Sequence, residues 1–385
     1  MKNILHLASW YPNKNVPQEG DFIQRQLKAL AEFMPVYVIA VFKDESLTGG
    51  TFNISHHSDG DLHETIGYYN TRRYGTRTLN SAASLYRYRR FYRQLIRDHI
   101  KKHGVPELIH LHVAFRASIL LTWIEEEFSI PYVVSEHWSG YKAVDPGGFA
   151  KQPAYVRAII KRTLSNARAV FAVSESLQAD MQKIVPEIRY EVVPNVVDES
   201  KFFPPAIAEP LMDNPKLRFL HVSGMGPEKQ PELLFRAFDE IRDRLNSELV
   251  CLGAPPAELE NWVKANIQHS KDILFRGSIP YEEVALEMRR ADCLVISSSY
   301  ETFSCVAVEA LNCGLPVIST PVGILPDIIR PENGMLTEAE NLALSMLEFA
   351  ERSKGYDRQL ISDSVKGRFS FQTVGNKLIE LYKNL

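Results

Sequence analysis

Short runs of uninterrupted apolar residues alternate with amphipathic stretches along almost the whole chain. Runs at 3–8, 36–42, 107–113, 131–135, 169–173 and 189–193 read as strands, and a second series follows at 217–222, 248–252, 272–276, 292–296 and 316–319. Between them, 21–33, 84–102, 230–244, 281–290 and 303–313 carry apolar positions at helical spacing. Strands that are apolar on both sides must be covered on both faces, and the intervening helices supply that cover. The pattern therefore predicts parallel sheets. Periodicity lapses from Asn195 through Phe203-Pro204-Pro205 to Pro215. We expect an α/β chain of two domains facing a cleft, residues 1–195 and 196–369, with a closing amphipathic segment at 370–385. Ligands of such sheets bind beyond the carboxyl ends of the strands, so the loops there are the ones to read for chemistry.

A length of 385 residues suits two cores, and 45% hydrophobic with 24% charged residues is ordinary globular composition. No apolar run approaches the ~20 residues that span a bilayer. The start, Met-Lys-Asn-Ile-Leu-His-Leu-Ala, holds one basic residue and soon turns polar, which reads as a first strand rather than a secretory signal. Cys251, Cys293, Cys305 and Cys313 show no CxxC spacing and are expected to be structural thiols of a reducing cytoplasm. The net charge of −3 hides an asymmetry: residues 1–195 carry 24 Lys and Arg against 19 Asp and Glu, the remainder 20 against 28. The first half is thus suited to an anionic partner.

The densest chemistry follows the strand Cys293-Leu-Val-Ile. Here Ser298-Ser-Tyr-Glu301-Thr-Phe-Ser304 leads into a helix beginning near Phe303–Ser304, whose free N–H groups and positive end suit a phosphate. Glu309, eight residues after Glu301, falls on the same side just over two turns along. A second loop, Ser223-Gly224-Met225-Gly226-Pro227-Glu228-Lys229-Gln230, follows the strand 217–222 and opens a helix at Pro231. Its glycines permit close backbone approach, and Lys229 can meet a diphosphate as a point charge. Read alone, two spaced acids suit a capped, solvated helix, and a loop lysine suits an exposed surface.

Together these residues resemble the retaining glycosyltransferases of the GT-B fold, family 4 (glycosyl transferases group 1), over nearly the whole chain. The resemblance rests on Glu301-x7-Glu309 followed by Ala310-Leu-Asn-Cys-Gly314-Leu-Pro316-Val, then Gly323 and Asn333-Gly334, with Phe275-Arg-Gly277 and Ala291-Asp292 framing the base. It implies two Rossmann-like domains and metal-free, cofactor-free transfer from a UDP- or GDP-linked sugar. It also implies donor contacts from Gly20, Gly224, Lys229, Gly277, Glu301, Phe303, Ser304, Cys305, Val306 and Glu309. Glu301 would touch the transferred sugar and Glu309 the ribose, while the N–H groups of Ser304, Cys305 and Val306 hold the diphosphate that Lys229 neutralises. The chain departs from the family at Gly224, where an arginine is usual, at Ser304, where many members have glycine, and at Asn195-Val196 in place of Asn-Gly. Either another basic group, Arg25 or Arg276, stands in for the missing cation, or the enzyme is slow.

In the first half, Tyr11 to Asp21 is a loop long enough to be functional, and Gly20 at its end resembles the family's glycine loop. Glu136-His137-Trp138 follows the strand at 131–135, and His137 resembles the histidine that contacts the transferred sugar, giving a catalytic set of His137, Glu301 and Lys229. His110 and His112 are weaker candidates, His112 for the acceptor side. Residues 72–102 hold ten basic residues and one acid, Asp98, interleaved with Tyr86, Tyr88, Phe91 and Tyr92. A helical stripe of Arg89, Arg93, Arg97 and Lys101, with Tyr92 and Leu95 entering the headgroups, suits an anionic membrane surface and a glycan or lipid-linked acceptor. The enzyme would then be cytoplasmic and peripheral on the inner face. Nucleic acid is not expected, for want of a binding module. An epimerase of the same fold and a nucleotide-sugar-binding paralogue without activity remain alternatives; a phosphorylase would need a Schiff-base lysine motif that is not recognisable.

Overall fold

The computed structural model describes residues 3–72, 75–205 and 216–385; Arg73 of the basic stretch and Pro210 and Pro215 of the aperiodic break lie outside them. The chain forms two α/β units, Met1–Val196 with Phe371–Leu385, and Val197–Ser370.

The first unit runs β1 (Ile4–Ala8), α1 (Asp21–Ala31), β2 (Val36–Lys43), β3 (Phe52–Asp59), β4 (Leu62–Tyr69), α2 (Arg77–His103), β5 (Leu108–His112), α3 (Leu121–Phe128), β6 (Tyr132–Glu136), α4 (Ala154–Ser165), β7 (Val170–Ala172), α5 (Glu175–Gln182) and β8 (Tyr190–Val192). These strands form one sheet in the order β3-β4-β2-β1-β5-β6-β7-β8. It is parallel apart from β3, which runs antiparallel to β4. Every residue of β1, β5 and β6 is buried, as their unbroken apolar runs require. The β3–β4 hairpin is an addition to the strands read from the pattern. β3 is exposed along its whole length, so no hydrophobic row marks it. Its signal is the turn: Gly60-Asp61 is a two-residue loop with Gly60 at φ 57°, the conformation tight hairpins demand.

Helix α2 begins at Thr76, whose side chain accepts from the Leu79 N–H, and extends further toward the N-terminus than its apolar periodicity indicates. Its aromatic residues correct an expectation. Tyr88, Phe91, Tyr92, Leu95 and Ile96 face the sheet and are buried, and the Tyr92 hydroxyl donates to the Ile39 carbonyl at 2.6 Å. Tyr92 and Leu95 are therefore core and cannot enter a headgroup layer. The arginine stripe is also partly engaged: Arg93 and Arg97 lie over Trp123 at 4.9 and 5.1 Å, and Arg97 pairs with Glu127 at 2.9 Å.

The second unit runs β9 (Leu217–Val222), α6 (Pro231–Arg242), β10 (Ser247–Leu252), α7 (Ala257–Asn266), β11 (Ile273–Phe275), α8 (Tyr281–Arg290), β12 (Cys293–Ile296), α9 (Cys305–Asn312), β13 (Val317–Ser319), α10 (Leu325–Ile328), β14 (Gly334–Leu336), α11 (Leu342–Arg352) and α12 (Arg358–Asp363). Its all-parallel sheet has the order β11-β10-β9-β12-β13-β14. That is the doubly wound Rossmann order, which reverses direction between β9 and β12. The final helix, α13 (Phe371–Lys383), adds Val374, Leu378 and Tyr382 to the core of the first unit. A Cβ on Gly375 would run into the Ala29 carbonyl, so this glycine lets α13 lie directly on α1. No helix among the described residues is long and apolar enough to cross a membrane.

Candidate functional site

The reversal of strand order in the second unit leaves a crevice beyond the carboxyl ends of β9 and β12, and the charged residues gather there. The two loops are tied together: the Ser297 hydroxyl donates to the Lys229 carbonyl at 2.6 Å, and the Ser299 N–H to the Glu228 carbonyl at 2.8 Å. Above these ties Lys229 Nζ meets Glu301 Oε1 at 2.6 Å, and the Ser298 hydroxyl donates to the same oxygen at 2.9 Å. Below them His221, buried in β9, braces the loop. Its Nδ1 lies 2.9 Å from the Val295 carbonyl and therefore carries the proton. Nε2 then accepts from the Ser223 hydroxyl at 2.7 Å, and Ser223 in turn accepts the Met225 N–H. Burial, with the charge of Lys229 adding to it, lowers the His221 pKa to about 4, so it braces the loop in its neutral form.

Helix α9 starts at Cys305. Ser304 occupies the N-cap in the left-handed region at φ 80°, and its hydroxyl does not cap the helix. The positive end of α9 thus points at the loop holding Glu301, as anion binding requires. Gly323 closes over this turn: a Cβ there would come within 3.0 Å of Glu301 Cβ and the Phe303 carbonyl. The Phe303 ring is buried against Phe369, 5.6 Å between centroids, which leaves its backbone for a ligand. One turn along α9, Glu309 is 3% exposed, which removes the reading of it as a solvated helix acid. The Tyr281 hydroxyl at the start of α8 donates to Glu309 Oε1 at 2.6 Å. Tyr281 is absent from the sequence-derived set because nothing in the order of residues pairs the start of one helix with the second turn of another.

At the ends of β10 and β11 the Gly253 N–H donates to the Gly277 carbonyl at 2.8 Å, with Gly277 at φ 67°. A Cβ on Gly253 would strike the Ser223 carbonyl, whereas one on Gly224 would meet nothing within 4 Å. Arg276 is exposed beside Gly277.

In the first unit the order turns at β1 and β5. The Ser9 hydroxyl donates to the Phe115 carbonyl at 2.6 Å and accepts the Ala117 N–H at 3.2 Å, linking the two loops. The loop from Tyr11 to Gly20 is organised by Asn13, whose side-chain oxygen accepts the N–H groups of Asn15 and Val16. Gly20 sits at φ 67°, and a Cβ there would lie 2.6 Å from the Trp10 carbonyl carbon, so only glycine fits. At the end of β6 the Glu136 carboxylate accepts from the N–H groups of Ala114, His137 and Trp138 and from the Tyr141 hydroxyl, at 2.8–3.0 Å. Burial raises its pKa against the pull of those donors. Glu136 thereby fixes the turn that carries His137. His137 is 5% exposed and lies against Phe22, and neither of its ring nitrogens makes a hydrogen bond of ordinary geometry. Burial takes its pKa down to about 3, with the Asn195 side chain opposing.

His110 and His112 do not line a loop. They are buried with His6 in a stack of rings: His6 Nδ1 to His112 Nε2 is 3.1 Å, and His110 bonds Ser135 and Tyr382 at 2.8 and 2.5 Å. Nitrogens of these residues lie within 4.8 Å of one another; His6 Nε2 and His112 Nδ1 are buried without a hydrogen-bond partner, and burial lowers the pKa of all three rings, so the cluster holds neutral imidazoles. A further signal is visible only in the backbone. Among the described residues, non-glycine residues at positive φ are Val113, Arg116, Ser129, Met225, Gln230 and Ser304. All but Ser129 lie in loops after β5, β9 or β12. Strain of about 1–3 kcal/mol at each such residue marks these loops as the held, functional parts of the fold.

The comparisons agree with this geometry. Residues 48–201 match the family model Glycosyltransferase Family 4, and residues 216–352 match Glycosyl transferases group 1. An uncharacterized glycosyltransferase of Methanocaldococcus jannaschii is 30% identical over 245 residues, 63% of this chain and 64% of that protein. The phosphatidylinositol N-acetylglucosaminyltransferase subunit of Saccharomyces cerevisiae is 25% identical over 249 residues, 60% of this chain and 54% of its own length. The chain thus spans less than two thirds of these relatives. Among solved structures, sucrose-phosphate synthase from Thermosynechococcus elongatus superposes with a TM-score of 0.78 at 19% identity, covering 100% of this chain and 99% of that one. The Anabaena protein HepE in complex with UDP gives 0.71 at 15% identity, covering 100% of both. With its two halves matching the two models in turn and the whole chain following the solved fold, the protein belongs to the family-4 glycosyltransferases of the GT-B fold.

Proposed function

We propose that the protein transfers a glycosyl unit from a nucleoside-diphosphate sugar to an acceptor hydroxyl, with retention at the anomeric carbon, and that the acceptor is a glycan or lipid-linked molecule at the inner face of a membrane. The observation that carries the reading is the placement of Lys229 and Glu301 in contact at the strand-order reversal, beside the positive end of α9, which carries the buried Glu309 one turn along. The diphosphate would take the N–H groups of Ser304, Cys305 and Val306 together with the Lys229 ammonium. Drawing Lys229 away frees the Glu301 carboxylate for the hydroxyls of the sugar. Glu309, with one oxygen held by Tyr281, accepts from the ribose diol. Gly224 and Gly277 give backbone access to the nucleotide. Arg276 is exposed and suited to replace the cation missing at 224, whereas Arg25 pairs with Asp21 at 3.2 Å. In the first unit, Gly20 and His137 are the candidates for a backbone contact to a diphosphate and a ring contact to a sugar.

The transition state is oxocarbenium-like. The bond from C1 to the diphosphate oxygen breaks with its electron pair leaving on that oxygen. The acceptor oxygen bonds C1 from the same face, and its proton passes to the departing diphosphate. Lys229 and the α9 N-terminus stabilise the charge that develops there. No step is assigned to a metal. The name of the yeast relative supports a lipid acceptor, and the UDP complex of HepE supports uridine as the base. Incubation with radiolabelled UDP- and GDP-sugars, membrane lipid extract and EDTA tests the proposal. Label should move into the lipid or glycan fraction. Label recovered as an epimerised nucleotide sugar, no conversion at all, or activity restored only by Mg²⁺ or Mn²⁺ would overturn it.

A further inference from the structure

Four strands lie at sheet edges, β3 and β8 in the first unit and β11 and β14 in the second. Of these, β8, β11 and β14 are three residues long and offer little to an added strand. β3 is different. It runs eight residues in unbroken register against β4, without a bulge, and each of its residues is exposed. Its sequence, Phe-Asn-Ile-Ser-His-His-Ser-Asp, holds no Lys, Arg or Pro. The one acid, Asp59, sits at the end and pairs with Lys28 of α1 at 3.0 Å. The devices that keep an edge from pairing are therefore missing from the longest sheet edge among the described residues.

Alternation decides which backbone groups this edge offers. The Asn70 N–H donates to the Thr51 carbonyl at 3.3 Å, which turns the odd-numbered residues of β3 toward β4. Phe52, Ile54, His56 and Ser58 therefore direct their N–H and C=O groups away from the sheet. Their side chains lie on the α2 face, where Phe52 meets the Phe91 ring at 4.4 Å between centroids. Phe52 and Ile54 nevertheless remain 40% and 38% exposed.

We propose that β3 is a dimerisation edge: two copies of this chain pair their β3 strands antiparallel about a two-fold axis at Ser55, joining two first-unit sheets into one. In such a pair, residues of the same face stand opposite each other, so the axis passes through a residue and not between two. Through Ser55 it sets Phe52 against Ser58 and Ile54 against His56, which uses all four outward-directed residues of each copy. Through Ile54 it would leave Ser58 without a partner. Through His56 it would leave out Phe52 and oppose two imidazoles. The Ser55 register sets no like charges opposite each other and brings the other copy's side chains beside the two exposed apolar ones. That self-complementarity selects a second copy over a foreign strand. β3 lies three places from β1 in the sheet, so the pairing leaves the loops after β1 and β5 untouched and is independent of the transfer proposed above.

Sedimentation velocity of the full chain at micromolar concentration should give twice the mass of one chain. Ile54→Lys places a charge on each side of the axis and should raise the dissociation constant roughly tenfold or more. His56→Pro removes an outward-directed N–H and no bond to β4, so it should weaken the dimer while far-UV circular dichroism stays that of wild type. Ser55→Cys tests the register directly. At the axis it faces its own copy in a non-hydrogen-bonded pair, with Cα atoms about 4.5 Å apart, and mild oxidation should link the two chains through a disulfide. Asn53→Cys, which faces His57, should not self-link. The cross-link is read on the Cys variants alone, so it decides the matter even where the proline variant does not fold. A wild-type chain that is monomeric at every concentration, a dimer indifferent to Ile54→Lys, or a dimer that links through Asn53→Cys and not through Ser55→Cys would each overturn the proposal.

Discussion

The two sheets share one plan and use it for opposite electrostatic ends. In each unit two adjacent central strands, β1 with β5 and β9 with β12, end in loops laced by a serine hydroxyl. In the second unit the residues past the strand ends are charged and partly accessible: the Lys229 and Glu301 side chains are 24% and 15% exposed. In the first unit the polar residues sit within the strands or just past their ends, where His6, His110, His112 and His137 are all buried. Topology decides where polar residues converge, and depth decides whether they can be ionised.

The contrast predicts that acid attacks the first unit before the second. The pKa values of His6 and His137 fall to about 3, and those of His110 and His112 fall well below the ordinary value of 6.5, in each case through burial. The unfolded chain then binds protons below pH 6.5 that the folded one refuses. Stability is complete above that pH and is lost as pH falls toward 3, at about 1 kcal/mol per histidine per pH unit. The second unit carries one such group, His221. Hydrogen exchange followed from pH 7 to pH 5 should show β1 and β5 opening while β9 and β12 stay protected; simultaneous opening would remove the distinction.

The next effect in size concerns the charged side. Lys229→Ala should lower turnover by about 10²–10³, the scale of losing one preorganised partner of the leaving group, and nucleotide affinity much less. Equal losses in both would show that the lysine merely keeps Glu301 in place. Glu309→Gln should weaken UDP or GDP binding by about 1.5–3 kcal/mol in calorimetry, as a charged acceptor is lost, and unchanged affinity would take Glu309 out of the site. Tyr281→Phe is the mildest change. It frees one Glu309 oxygen, should cost about 1 kcal/mol of nucleotide affinity, and should narrow the preference for a ribo- over a 2′-deoxynucleotide. Were that preference intact, Tyr281 would be only a packing residue.

Much of this is legible along the chain because the causes are local. Continuous apolar runs announce buried parallel strands, and the segments at 217–222 and 281–290 coincide with β9 and α8. Glu301 and Glu309 are legible as a pair through the family's spacing and not through helix geometry, since Glu301 lies in the loop before α9 begins at Cys305. The β3–β4 hairpin escapes the hydrophobic pattern because its outer strand has no buried side, although the Gly-Asp of its turn is there to read. The aromatic run of α2 misleads for the converse reason: Tyr88 and Tyr92 alternate with arginines in sequence, but the helix turns them onto the sheet.

By itself, then, the sequence determined the class of fold, the alternation that builds two sheets, and the residue types suited to a nucleotide diphosphate. Each of these depends on spacing within one strand, one helix or one loop. Tertiary structure alone decided which separated residues meet. It set Lys229 against Glu301 across 72 positions and Tyr281 against Glu309 across 28. It closed the histidines of β1 and β5 into a neutral stack and turned the aromatic residues of α2 onto the sheet. The reason is physical: a side chain's charge state and freedom are set by what packs over it, and strand order, which no local spacing encodes, determines what that is.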